Sequence, residues 1–248
     1  MNTNGDALNL LKGYHSDGMQ TESAEKQRLP QPPLERSRGG RTIRLSRNFE
    51  AAVRCSNVLE LLNGRRSVRR YAREPLSLTE LSFLLWYTQG TEKIVGNQRK
   101  AAIRTVPSAG ARHPLECYLA LLNVEGLEVG LYHYLSLSHE LEFVKSVDNL
   151  GDRLTEASCG QSFLSLAAAV FIWTAVPERT SWRYPDQAEK YILLDAGHVC
   201  QNLYLASGVT GCGACAIGAY DQDLADALTG VDGREELTVY MAAVGKKE

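Results

Sequence analysis

Four arginines and a serine fall within six residues in the run Gly64-Arg65-Arg66-Ser67-Val68-Arg69-Arg70-Tyr71. Forked guanidinium donors beside a hydroxyl match the oxygens of a phosphate group. The plainer alternative is a solvated basic turn. A second run, Thr105-Val106-Pro107-Ser108-Ala109-Gly110-Ala111-Arg112-His113-Pro114, is small and turn-forming. Such a loop lets backbone approach a flat ligand, and its free amides suit ring carbonyls and nitrogens. It could equally be no more than a tight turn.

Two further runs invite metal or thiol chemistry. In Asp195-Ala196-Gly197-His198-Val199-Cys200-Gln201-Asn202-Leu203, His198 and Asn202 share a helix face four residues apart, a ligand pair or, more often, groups that fix packing. Cys212-Gly213-Ala214-Cys215 has CxxC spacing, and His198 with Cys200 lies upstream. Zinc deaminases need Glu two residues after the His and Pro before the first Cys; this chain has Cys200 and Gly211 there. No metal site is expected, and the glycine-rich stretch reads better as a wall that packs closely on a cofactor.

The elements that must position these residues follow from periodicity. Apolar spacing predicts a helix over Phe49 to Asn63, stopped at Gly64, and a second from the capping-box pair Ser77 and Glu80 to Gly90. The arginine-rich turn lies between them. Strand patterns cover Glu116 to Leu122, Leu131 to Tyr134, Ala167 to Val176 and Leu237 to Val244. Helical patterns cover Asp148 to Cys159, Tyr191 to Ser207 and Asp221 to Leu228, with Gly208 to Tyr220 between the last two. Strands and helices mix without regular βαβ alternation, so the fold class is α+β. Residues 1–48 are polar around Leu29-Pro30-Gln31-Pro32-Pro33 and read as an extended, partly disordered arm; residues 49–248 form the compact domain.

Composition narrows the function classes. With 248 residues, 44% hydrophobic and 27 basic against 29 acidic side chains, the chain has a soluble protein's core and no global basic field for nucleic acid. The longest nearly apolar run, Phe163 to Val176, is 14 residues, short of the roughly 20 that span a bilayer. No membrane association is expected. The N-terminus shows no secretory pattern, and six irregularly spaced cysteines do not form a disulfide framework. A cytoplasmic protein with buried thiols is expected.

Taken in order, RRSVRRY, PSAGARHPLECYL, GLYHY, KYILLDAGHVCQNLYLA, GCGACAIGAY and VYMAAVGK resemble the nitroreductase superfamily of flavin enzymes, and within it the SagB-type dehydrogenase branch. The resemblance covers about residues 58 to 247 and leaves the arm outside. It implies a mainly antiparallel sheet surrounded by helices, and a homodimer with FMN at the subunit interface. It places Arg65 and Ser67, with Arg66 as a weaker candidate, on the FMN phosphate and Arg69 near the flavin N1 and C2 carbonyl. Pro107, Ser108, Ala109 and Gly110 would reach the FMN of the other subunit; Ala214, Cys215, Ala216, Ile217 and Gly218 would pass along the isoalloxazine ring. Gly245 and Lys246 would give a second phosphate contact, with Lys247 less firmly placed.

The activity implied is that of an FMN-dependent oxidoreductase, transferring hydride by a ping-pong route from NAD(P)H to a quinone, nitroaromatic or similar acceptor. Some SagB-type enzymes oxidise azoline rings in peptides and carry a Lys-Tyr pair for proton transfer. Here the corresponding pair is Arg183-Tyr184. Arginine stays protonated and is a poor general base, which turns the reading away from azoline oxidation. A flavin-binding protein without turnover is the remaining alternative.

Overall fold

The computed structural model describes residues 10–13 and 21–248. Among them, strands β1 (Thr42–Arg44), β2 (Thr91–Val95), β3 (Ala101–Arg104), β4 (Leu115–Leu121), β5 (Gly130–Leu135), β6 (Glu140–Lys145), β7 (Ala169–Ala175), β8 (Cys212–Ile217) and β9 (Leu237–Lys246) alternate with helices α1 (Val58–Gly64), α2 (Leu78–Gln89), α3 (Leu150–Ala157), α4 (Pro177–Ser181), α5 (Ala188–Val209) and α6 (Gln222–Thr229). Seven strands form one sheet in the order β1-β6-β5-β4-β7-β9-β8, every pair antiparallel, while β2 and β3 make a separate hairpin.

Period-two alternation divides the central strands between two cores. Leu115, Cys117, Leu119 and Leu121 of β4 and Phe171 and Trp173 of β7 face one layer with Leu81, Leu84 and Leu85 of α2 and Ile192, Val199 and Leu203 of α5. Tyr118 and Ala120 of β4, Val170 and Ile172 of β7, and Met241 and Ala243 of β9 face the other layer with Leu150 and Leu154 of α3 and Leu228 of α6. The α+β class with helices on both faces of an antiparallel sheet is therefore what the chain adopts.

Local chemistry fixes the helix ends. Ser77 and Glu80 form the expected capping box at the start of α2. The helix expected from Phe49 reduces to a short turn and then α1, because Asn57 caps Leu59 and Glu60. Phe49 is drawn instead into an edge-on contact with Phe83, 5.4 Å between centroids. Tertiary packing has overridden the periodic pattern.

Residues 21–46 lie across the body. Leu45 N–H bonds to the His139 carbonyl, β1 pairs with β6, and main-chain or side-chain donors of Arg36, Ser37, Arg38 and Gly40 bind the carboxylates of Glu116 and Glu142. Those carboxylates flank His133 and are buried with it; Arg179 also pairs with Glu116. Burial alone would push Glu116 up, but Arg179 and His133 hold its carboxyl well below the ordinary range.

Candidate functional site

The basic turn that follows α1 is clamped onto the edge strand β8. Val68 N–H bonds to the Ala214 carbonyl at 2.9 Å, and a Cβ on Gly213 would lie 2.6 Å from Val68 Cβ. Glycine is what lets the turn sit so close. From α5 comes Tyr204, whose hydroxyl is 2.9 Å from the Ser67 hydroxyl and accepts from Ala216 N–H at 2.9 Å. Arg65 lies over the Tyr204 ring at 5.3 Å and Arg69 over Phe163 at 6.0 Å.

A cavity of about 440 Å³ opens here, lined by Arg65, Arg66, Val68, Tyr204, Gly213 and Lys247 among others. Arg66 spends donors on the Asn63 and Arg65 carbonyls beyond α1. Among the described residues Arg65, Arg69 and Lys247 form no salt bridge. Unanswered cations beside a hydroxyl and a concave wall are the donor set a phosphate requires.

Strand alternation separates the two terminal lysines. Lys246 Nζ binds Glu80 of the α2 capping box and lies 3.8 Å from Glu74, and its side chain is only 14% exposed. Burial opposes its charge, yet Glu80 raises its pKa. Lys246, expected at the phosphate, is thus paired with Glu80, while its neighbour Lys247 lines the cavity. Gly245 faces Tyr71: an added Cβ would meet the ring at 2.8 Å, so its role here is to admit that ring.

The expected glycine-rich wall, Ala214 to Gly218, is largely the strand β8, in which Ala214, Cys215 and Ile217 are buried, Ala216 is half-buried and Gly218 beyond it is exposed. Cys212 and Cys215 are three apart on this strand, so they face opposite sides, and both are free thiols. Burial raises both. On α5, Asn202 donates to the carbonyls of Tyr87 and Thr105, so it serves packing.

The loop Pro107 to Gly110 lies elsewhere, toward the start of α5. Ser108 Oγ accepts from His113 N–H at 2.9 Å, and Ala109 N–H reaches Asp195 Oδ1 at 3.4 Å. Asp195 is buried, which raises its carboxyl pKa despite those bonds to Ser108 and Ala109. Gly110 has φ of +55°, and a Cβ there would stand 2.6 Å from the Tyr184 hydroxyl and 3.1 Å from Arg183 Cδ. Arg183 and Tyr184 are thus brought against this loop. They are not brought to Arg65: Asp195 and Tyr204 are nine residues apart on α5, or about 14 Å along its axis.

The pattern of the nitroreductase family matches residues 62–246. The chain belongs to the nitroreductase family. A nitroreductase of Methanocaldococcus jannaschii is 37% identical over 190 residues, 76% of this chain and 90% of that protein. The trifolitoxin-processing protein TfxB of Rhizobium leguminosarum bv. trifolii is 32% identical over 146 residues, 55% of this chain and 38% of the relative. Solved nitroreductase structures share the fold. So does the Escherichia coli microcin synthetase McbBCD complex with truncated pro-MccB17, at TM-score 0.62 and 22% identity over 83% of this chain and 78% of that one. The likeness to TfxB fits the SagB-type branch.

Nitroreductases are oxidoreductases that generally use FMN, and the unpaired cations, the Ser67 hydroxyl and the cavity suit its phosphate. One residue of this site, Tyr204, escaped the motif reading, and Lys247 entered it only as the less firmly placed neighbour of Lys246. Tyr204 could have been found as an amphipathic aromatic on a helix face otherwise rich in aliphatic residues.

Proposed function

We propose that the protein is an FMN-dependent oxidoreductase of the cytoplasm that works as a homodimer, with NAD(P)H as donor and a quinone, nitroaromatic or similar small molecule as acceptor. The observation that carries this reading is the pair Arg65 and Lys247, which form no salt bridge among the described residues, on a cavity whose Tyr204 hydroxyl lies 2.9 Å from the Ser67 hydroxyl. FMN, when bound, supplies the hydride chemistry. Arg65, Ser67 and Lys247 would hold its phosphate, with Arg66 beside them, and Arg69 would stabilise charge that develops on the ring.

Dimerisation explains the distance between the halves. Pro107 to Gly110, Arg183 and Tyr184 of one protomer would complete the site begun by Arg65 and Ser67 of its partner. Exposed apolar side chains, Val58, Leu59 and Leu62 on α1 and Leu193 and Leu194 on α5, offer a surface for that association. Tyr184, with a phenol that can donate, would pass a proton to the acceptor while Arg183 orients it. Donor and acceptor would take turns at this one place.

A second reading, oxidation of a peptide-derived azoline, draws support from the likeness to TfxB and the microcin synthetase complex. Arg183 counts against it, because azoline oxidation needs a base and the guanidinium remains protonated. The test is a visible spectrum of the purified protein before and after anaerobic NADPH, followed by a quinone. A flavin spectrum that bleaches and then returns is the expected result. A flavin that NADPH leaves oxidised would rule out the donor half of the proposal.

A further inference from the structure

The arm enters the Arg183 region through one carboxylate. Glu25 N–H bonds to the Trp182 carbonyl at 2.9 Å, and Trp182 Nε1 donates back to the Leu29 carbonyl at 3.2 Å. Residues 25–29 are thereby docked against the residue next to Arg183. Farther along, the Gln31 amide exchanges two bonds with the Lys100 backbone, at 2.7 and 2.9 Å, and ties the arm to the β2–β3 hairpin. Thr21 anchors the other side on the Asp186 carboxylate.

Within this frame the Glu25 side chain, 13% exposed, is shared. Oε1 accepts from Arg99 Nη1 at 3.1 Å and Oε2 lies 3.4 Å from Arg183 Nε. Arg112 is close as well: it sits 5.4 Å over the Trp182 ring and donates to the Gly110 carbonyl at 2.9 Å. Burial lowers its pKa, Arg183 lowers it further and Glu25 opposes them, so these three charges feel one another. Beside them is an open cavity of about 660 Å³ whose wall includes Glu25, Arg28, Gln31, Arg99 and Trp182.

We propose that Glu25 is a specificity-determining residue: shared between Arg99 and Arg183, it fixes Arg183 beside the Pro107–Gly110 loop, offsets part of the positive charge there and makes the half-site select uncharged acceptors over carboxylated ones. This rests on the reading that Arg183 faces the substrate. A substrate carboxylate must compete with Glu25 for both guanidinium groups, and it meets the Glu25 charge in doing so. An uncharged ring meets neither penalty. The arm is then a wall of the site, and its contribution is a sign of charge.

The experiment uses the full-length flavoprotein and a non-reacting pair of equal shape, benzoate and benzamide, titrated by calorimetry at low salt. Wild type should bind benzamide the better. Glu25→Gln keeps the side chain's size and the main-chain bond to Trp182, and should tighten benzoate by about 3- to 10-fold with benzamide within about twofold. Glu25→Asp, which retains the charge, should stay on the wild-type side of that ratio. Adding Arg183→Gln to Glu25→Gln should remove most of the benzoate gain.

Benzoate that binds Glu25→Gln no better than wild type overturns the proposal, as does an equal shift of both ligands or a gain that survives loss of Arg183. Tryptophan emission checks that the arm is still seated on Trp182. Because neither ligand is reduced, the binding ratio is read even if NADPH fails to bleach the flavin. Failure of the proposed activity and failure of the Glu25 assignment are therefore distinguishable.

Discussion

The two ends of α5 hold their cations in opposite ways. At the basic turn, Arg65, Arg69 and Lys247 form no salt bridge among the described residues, while Arg65 lies over the Tyr204 ring and Arg69 over that of Phe163. At the Pro107–Gly110 end, Arg183 and Arg99 are answered by Glu25, and Arg112 by backbone carbonyls and Trp182. Unpaired cations on a turn and a chain end that are bridged to the sheet suit an anion that stays. Paired cations on loops and an arm suit a ligand that comes and goes. The comparison assigns one end to a resident cofactor and the other to transient reactants.

The strongest way to break this comparison is to split it between chains. Arg65→Ala should leave a homodimer short of flavin, and Tyr184→Phe one slow in acceptor reduction. A mixed dimer has one site with both residues intact and one with neither, so it should recover about half of wild-type activity if each site draws on two protomers. Purified tagged heterodimers measure this directly. No recovery would mean that both halves serve one site within a chain.

Next in size is the flavin affinity of Arg65→Ala alone. A charge-assisted contact to phosphate contributes about 1.5–3 kcal/mol, so the loss should be about 10- to 150-fold. Flavin fluorescence quenching on titrating apoprotein reads it. Tyr184→Phe should leave that affinity unchanged and instead slow reoxidation by a nitroarene, by about 10- to 100-fold if its phenol supplies the proton. Rapid-mixing traces that show equal reoxidation for wild type and Tyr184→Phe would take the tyrosine out of the chemistry.

The smallest effects sharpen the assignment of the two lysines. Lys247→Ala should weaken flavin binding by about 5-fold, as loss of a partly exposed charge contact does, with little change in Tm. Lys246→Met should do the reverse, because it strands Glu80 and costs about 1–3 kcal/mol of stability. Glu80→Gln carries a pH signature. Burial works against the Glu80 charge, but bonds from Lys246 and Ser77 outweigh it and hold the carboxyl below the ordinary 4.5. The stabilisation is therefore complete above that value and is lost as pH falls through the lower folded value. The Tm gap between wild type and Glu80→Gln should be constant from neutral pH to about pH 5 and close in stronger acid.

How much of this was legible in the sequence depended on whether the signal was local. The capping box at Ser77 and Glu80 and the long α5 helix are set by spacing within one element, and they form where the pattern put them. The strand β8 was hidden, since Cys-Gly-Ala-Cys-Ala has little strand propensity and becomes a strand only because β9 and the basic turn pair with it. The difference between Lys246, at the end of β9, and Lys247, just beyond it, turns on which way each side chain is directed, and the adjacent pair of like residues gives no hint of that. Glu25 is 158 residues from Arg183 in the chain, and such a partnership exists only after the arm has crossed the body.

The clamp on β8 also bears on how the protein behaves at high concentration. A sheet of this kind has two open borders where backbone from another molecule could add. One border is β1, only three residues long. On the other, the outward carbonyl of Ala214 is taken by Val68 and the outward amide of Ala216 by the Tyr204 hydroxyl. Among the described residues neither border of this sheet is a long, uncovered strand, so the seven-stranded sheet is a poor template for strand addition. The same turn that presents cations to a phosphate seals the sheet against aggregation.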